Sequence, residues 1–177
     1  MITTFHDGTP FLGVISDTHG LVRPSALDAL AGARHIVHAG DVGSPEVLRA
    51  LQTRAPVTAV RGNTDIESWA RALPAREWIA FEGVDVLVLH DLATLDLDPK
   101  SAGVSLVVSG HSHRPEVVQR NGVTYLNPGS AGPRRFQLPV TVARVRVEGG
   151  RVQVEIVPVE GTPGGRQGGP GCNEGFP

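Results

Sequence analysis

Cysteine is nearly absent from this chain: Cys172 is the single one in 177 residues. An intramolecular disulfide is therefore excluded, and nothing calls for an oxidising compartment. Charge of one sign is also missing. The formal net charge is only -2, which gives no electrostatic pull towards nucleic acid or an anionic membrane. No apolar run approaches the ~20 residues that span a bilayer. The start, Met1-Ile-Thr-Thr-Phe-His-Asp, lacks the basic residues and apolar stretch of a signal peptide. These absences lead to the expectation of a soluble cytoplasmic protein with no membrane and no specific nucleic-acid partner. What is present is an ordinary globular balance, 40% hydrophobic and 19% charged, at a length that suits one domain with a substantial core. Seven histidines are the more informative feature, because of where they fall.

The apolar runs organise the chain. Runs over 11–17, 35–41 and 56–63 read as buried strands, separated by helical patterns that open at Pro24 and at Ser44-Pro45. Ser44 suits a helix cap, with Pro45 at the first position. Strand–helix alternation of this kind builds a parallel sheet with right-handed crossovers. A third helix is expected over 67–73 and a helical turn over 92–97. Strands are expected at 76–81, 84–90, 105–109, 115–120, 123–126, 140–148 and 151–159. Glu82-Gly83, Asn121-Gly122 and Gly149-Gly150 mark hairpin turns, the second by the strongest sequence signal for type I′. This change from alternation to hairpins suggests a second, more antiparallel sheet packed on the first. Residues 161–177 hold seven glycines and three prolines and read as a flexible tail, leaving 1–160 as the domain.

Five apolar runs end in residues that can ligate a metal. They are Asp17 with His19, Asp41, Asn63, His90, and His111 with His113. Glycine directly precedes three of them, at Gly40, Gly62 and Gly110, where backbone can approach a ligand closely. In extended chain, positions i and i+2 share a face, so His111 and His113 are expected to present two imidazoles to one spot. Each residue alone has a structural reading: a helix cap for Asp17, an Asx turn for Asn63, a satisfied core histidine for His90. Together they predict seven side chains on one rim, beyond the carboxyl ends of neighbouring strands. Such nitrogen and oxygen donors suit Mn²⁺, Fe²⁺, Co²⁺, Ni²⁺ or Zn²⁺, and seven are about right for two ions sharing a carboxylate.

In this order, Asp17-Thr-His19, Gly40-Asp41, Gly62-Asn63-Thr-Asp65, His90 and Gly110-His111-Ser-His113 resemble the calcineurin-like metallophosphoesterase superfamily. The short length and Asn127-Pro-Gly-Ser130 resemble its small bacterial and archaeal phosphodiesterase branch. The resemblance implies an α/β fold in which two mixed β-sheets pack as a sandwich with flanking helices. It implies one metal held by Asp17, His19, Asp41 and His113, and a second by Asp41, Asn63, His90 and His111, with Asp41 bridging. The expected cofactors are two divalent ions, Mn²⁺ first, with Fe, Ni, Co, Zn or Mg as substitutes. The implied activity is hydrolysis of a small phosphodiester or nucleotide by a hydroxide shared between the ions. Asn63 and His111 are the expected catalytic residues, the Asn63 amide adding a hydrogen bond to the phosphoryl group.

Two departures stand out. Many members carry a histidine, a proposed proton donor, where this chain has Thr64, and small phosphodiesterase relatives lack it too. Relatives often follow the fourth-motif histidine with Gly-His, whereas Asp91-Leu92 follows His90 here. Two other functions fit the resemblance: a protein-binding scaffold, as in the small retromer subunit, or a phosphomonoesterase. Away from the motifs, His38 reads as structural, Trp69 and Trp78 as core or rim packing, and Arg134 and Arg135 as phosphate contacts or solvated charges.

Overall fold

The computed structural model describes residues 8–135 and 137–159. The expected tail over 161–177, with Cys172, lies outside the described residues. Among the described residues, ten strands form two five-stranded sheets. Strands β1 (Leu12–Ile15), β2 (His35–His38) and β3 (Val57–Ala59) are joined by helices α1 (Pro24–Ala29) and α2 (Pro45–Gln52). They pair in parallel, as the alternation predicts. Then follow β4 (Arg76–Phe81), β5 (Val84–Leu89), β6 (Val104–Val108), β7 (Pro115–Arg120), β8 (Val123–Pro128), β9 (Thr141–Glu148) and β10 (Arg151–Pro158). The segments over 67–73 and 92–97 are shorter than expected and tighter than α-helix: 3-10 turns at Ser68–Ala72 and Leu92–Thr94. Ser44 occupies the position before α2, but its side chain makes no cap hydrogen bond.

The sheet orders are β10-β9-β1-β2-β3 and β4-β5-β6-β8-β7. The hairpin-rich half does not form one antiparallel sheet. Its last hairpin, β9–β10, returns to the first sheet and pairs antiparallel with β1. In the second sheet, β6 runs parallel to both β5 and β8, with the hairpin partners β4 and β7 outside them. Both sheets are therefore mixed. All three marked hairpin turns have both central residues in the left-handed region, Asn121 and Gly122 at φ 52° and 83° for instance, the geometry that matches strand twist.

Period-two alternation sorts the strand side chains into layers. Leu12 and Val14 of β1 face the second sheet, where they meet Val86 and Val88 of β5 and Leu106 and Val108 of β6. Ile15 turns the other way, into a core with Leu30 beside α1 and Val47 and Leu51 of α2. On the far side of the second sheet, Leu87, Leu89 and Val107 are covered by Leu95 and Leu97. Trp69 packs against the helix-side core, while Trp78 is 42% exposed on β4. Among the described residues, no helix is long and apolar enough to cross a membrane.

Candidate metal centre

All seven candidate side chains gather at one edge, but none stands on a strand. The strands stop earlier than the apolar runs suggest: β1 at Ile15, β2 at His38, β3 at Ala59, β5 at Leu89 and β6 at Val108. The chain then turns through left-handed conformations at Asp17, His19, Asp41, His111 and His113, with φ between 46° and 69°. The other described non-glycine residues with positive φ, Glu82 and Asn121, lie in hairpin turns. Left-handed backbone at non-glycine residues is unfavourable and persists where surrounding contacts over-determine it. Here those contacts come from neighbouring loops: Asp17 N–H donates to Gly40 O at 3.0 Å, His19 N–H to Asp41 O at 2.9 Å, and Gly20 N–H to Val42 O at 2.8 Å.

The three glycines singled out in the sequence have a common steric reason. A Cβ on Gly40 would lie 2.6 Å from His90 Nδ1, one on Gly110 would lie 2.8 Å from Asp17 Oδ2, and one on Gly62 would overlap the backbone and carboxylate of Asp41. Each glycine thus lets its own loop sit against the side chain presented by another.

The left-handed turns also correct the expectation for His111 and His113. The chain is not extended there, and the two imidazoles diverge. His113 Nε2 lies 3.3 Å from Asp17 Oδ1 and 3.4 Å from His19 Nε2. His111 Nδ1 lies 3.1 Å from Asn63 Oδ1, which is itself 3.0 Å from His90 Nε2. Asp41 stands between these halves, its Oδ2 3.5 Å from His90 Nε2 and 3.9 Å from His19 Nε2. Two groups have ligand atoms close enough to share an ion: Asp17 with His19 and His113, and Asp17 with Asp41 and His90. Asp17, Asp41, His90 and His113 form a buried floor, and Asn63 and His111 an exposed rim.

Burial raises the Asp17 carboxyl above its ordinary range, more than Ser16, His113 and His90 lower it. Burial would raise Asp41 too, but hydrogen bonds from His90 and the Thr64 backbone hold it below the usual range. Burial lowers His113, helped by Arg135 and His19 against the pull of Asp17. Burial opposes the charged form of His90 as well, but Asp41 and the Ala39 carbonyl outweigh it and raise that group.

The donor set fits divalent metal. Asp17 Oδ1 is buried and accepts no hydrogen bond. His19 and His113 point ring nitrogens at each other, and such an arrangement of imidazole and carboxylate suits first-row ions. His90 Nδ1 is held by the Ala39 carbonyl at 2.8 Å, leaving Nε2 directed at the centre.

Several supporting residues carry no role in the sequence reading. Asp65 is 4% exposed and accepts backbone N–H groups from Val42, Gly43 and Gly62 at 2.9–3.1 Å, tying the Asp41 loop to the Asn63 loop. Its signal was its place two residues after Asn63. Asn127 donates to Gly110 O at 2.6 Å and to Ser112 Oγ at 3.0 Å. Ser130 Oγ donates to Asp17 O at 2.9 Å. Thr64 N–H donates to Asp41 Oδ1 at 2.9 Å. Arg135 brings its guanidinium 3.4 Å from His19 Nε2, on the exposed side of the site.

A two-sheet sandwich with a nitrogen- and oxygen-ligand centre at its edge defines a class of metal-dependent proteins. The calcineurin-like phosphoesterase superfamily domain matches residues 11–150, and the chain belongs to that superfamily. A probable metallophosphoesterase of Methanocaldococcus jannaschii is 34% identical, the match covering 90% of this chain and 88% of that protein. Among solved structures, an archaeal phosphodiesterase superposes with a TM-score of 0.68 at 20% identity, over 83% of this chain and 99% of the other. A Vps29 from Entamoeba histolytica, solved with zinc, superposes with a TM-score of 0.66 at 21% identity, over 85% and 99%. At such identities the structural likenesses speak for the fold.

Proposed function

We propose that this chain is a phosphodiesterase that works with two divalent ions, Mn²⁺ being the first choice. The observation that carries the reading is the gathering of seven nitrogen and oxygen donors at one edge, in two ligand groups that share Asp17, with Asp41 3.5 Å from His90 and 3.9 Å from His19. Asp17, His19, Asp41 and His113 would hold one ion, and Asp41, Asn63, His90 and His111 the other. When bound, two such ions supply an activated water at neutral pH and neutralise the phosphoryl oxygens. The chain's own residues do the rest. Asp65 and the loop-to-loop backbone hydrogen bonds hold the Asp41 and Asn63 carriers in register. The exposed Asn63 amide and His111 stand where a phosphoryl group would be oriented, and Arg135 offers a guanidinium on the His19 side. Thr64 offers no proton at neutral pH, and a missing general acid costs on the order of 10²–10⁴ in rate. The expected enzyme is therefore slow, or favours good leaving groups.

The test compares bis-p-nitrophenyl phosphate with p-nitrophenyl phosphate, with Mn²⁺ or with chelator, for wild type and Asp41→Ala. Mn²⁺-dependent turnover of the diester, weak on the monoester and at least ~100-fold lower in the variant, is the expected result. Faster turnover of the monoester would move the reading to a phosphomonoesterase. No turnover of either by protein shown to bind divalent metal would move it to a scaffold.

A further inference from the structure

The longest open sheet edge is β10, eight residues that match β9 one for one without a bulge. The other edges carry features that discourage pairing. β3 has three residues, β7 opens on Pro115, and β4 has a tied charge at each end, Arg76 to Asp96 and Glu82 to Arg34. The backbone of β10 shows which of its groups face outwards. Gly149 and Gly150, at φ 56° and 76°, form a two-residue turn closed by the Glu148–Arg151 pair. The closing pair of such a hairpin exchanges both hydrogen bonds, and so does every second pair after it. Arg151, Gln153, Glu155 and Val157 therefore bond to β9, while Val152, Val154 and Ile156 direct N–H and C=O away from it. Among the described residues, nothing pairs with that outer side.

The side chains sort by the same alternation. Val152, Val154 and Ile156 lie partly buried against the shared core. Beside them the sandwich is open: a cavity of about 500 Å³ separates Arg151 and Val152 from Gln119 of β7, and Val117 of β7 is 45% exposed. Arg151, Gln153 and Glu155 share the opposite face. Arg151 is exposed and makes no ion pair among the described residues; its cross-strand neighbour Glu148 takes the Gln153 amide instead, at 3.0 Å. Glu155 is 39% exposed, with Arg144 no nearer than 3.8 Å.

We propose that β10 pairs antiparallel with β10 of a second copy of this chain, about a two-fold axis at Gln153. Outward groups must meet outward groups, so Val152 of each copy faces Val154 of the other and exchanges ladder hydrogen bonds with it. In this register Arg151 faces the other copy's Glu155 on both sides of the axis, and the charges at the seam cancel. A slip of two positions sets Arg151 against Gln153 or Val157 and loses both ion pairs. A slip of one sets outward groups against inward ones. β9 runs antiparallel to β1 and to β10, so β10 runs with β1, towards the Asp17 turn. An antiparallel seam thus leaves the two metal centres open at opposite ends of the pair. The assembly is independent of the reaction proposed above.

Sedimentation equilibrium of the full chain tests it. The mass should rise with concentration from 18.7 kDa to twice that. An edge seam is smaller than a standard interface, so a dissociation constant of roughly 1–100 µM is expected. Val154→Pro removes an outward N–H, a change an edge strand tolerates, and should raise that constant at least ~10-fold with the fold intact by circular dichroism. A cross-link reads the register without relying on that variant. In a Cys172→Ser background, Gln153→Cys puts a thiol on the axis in a non-hydrogen-bonded pair, where Cβ atoms stand about 4.5 Å apart, within disulfide reach. On mild oxidation it should link at least ~10-fold faster than Gln119→Cys on the β7 edge. A chain that stays monomeric to about 500 µM, with no faster linking at position 153, overturns the proposal. So does a dimer in which Gln153→Cys fails to link, which would put the contact on another face. Where the mass and Val154→Pro disagree, the cross-link decides.

Discussion

His38 shows how a residue outside the ligand set conditions the site. It is completely buried, and its Nε2 lies 2.9 Å from Thr18 Oγ1. The Thr18 hydroxyl lies 2.8 Å from Val42 O and donates there, so Nε2–H of a neutral His38 is the donor to Thr18. Thr18 stands between Asp17 and His19, and this chain of bonds braces their turn against the Asp41 loop. Burial lowers the His38 pKa from 6.5 to about 4. Between those values the unfolded chain takes up a proton that the folded chain refuses, so stability rises with pH across the window. As pH falls through 6.5 the contribution is progressively lost, and below about 4 the loss is complete. The shift corresponds to about 3 kcal/mol. Urea unfolding in chelator from neutral pH to about pH 4 should show wild type losing that much more than His38→Gln, in which the amide can still donate to Thr18. Equal losses in the two proteins would show that His38 is not the group being titrated. His38 was legible as structural because it alternates away from Asp41 on its strand. Its partner was not, because no local pattern links it to a threonine twenty residues earlier.

At the scale of elements, β8 supports the loop that follows its neighbour β6. Asn127, near the end of β8, binds Gly110 O and Ser112 Oγ through its amide nitrogen and accepts the Gly129 N–H at 2.9 Å. One buried side chain therefore holds the stretch that carries His111 and His113. Asn127→Ala removes one of two hydrogen bonds to the Gly110 carbonyl, which keeps the Ser112 N–H at 2.8 Å, at a cost of about 1 kcal/mol. It should also weaken metal binding about 10–100-fold, as loss of a supporting partner does. Denaturant unfolding and metal titration check the two effects; an unchanged metal affinity would remove Asn127 from the support of the centre. Elements governed by local rules were readable: β4 and β7 coincide with their expected bounds, and the hairpin turns fall where their glycines mark them. Strand ends were over-read. Asp17 and Asp41 follow buried residues and carry no local sign that the backbone turns left-handed there. That conformation is imposed by loop-to-loop hydrogen bonds, which are non-local. The same cause separated His111 from His113, and it sent β9–β10 back to β1, a pairing set by which apolar faces remain uncovered.

For the molecule as a whole, the placement of the donors matters more than their number. Asp17, His19, Asp41 and Asn63 follow strands of the first sheet, while His90, His111 and His113 follow strands of the second. The sheets also meet through the shared apolar core and through polar contacts such as Thr141 Oγ1 to Pro128 O at 2.6 Å. An ion held by both sets of loops would bind the folded chain and not the unfolded one, and would tie the sheets together at one edge. By linkage, Mn²⁺ at a hundred times its dissociation constant should stabilise the protein by about 2.7 kcal/mol. For a chain of this size that is a rise in Tm of roughly 5–10 °C over the chelated protein. The rise should disappear in Asp41→Ala and equally in His90→Ala, because each removes a candidate ligand contributed by a different sheet. Loss in one variant alone would show that the ion rests on a single sheet and that the two halves do not act as one centre. Retention in both would place the stabilising ion elsewhere, and the paired-donor reading of this edge would fail with it.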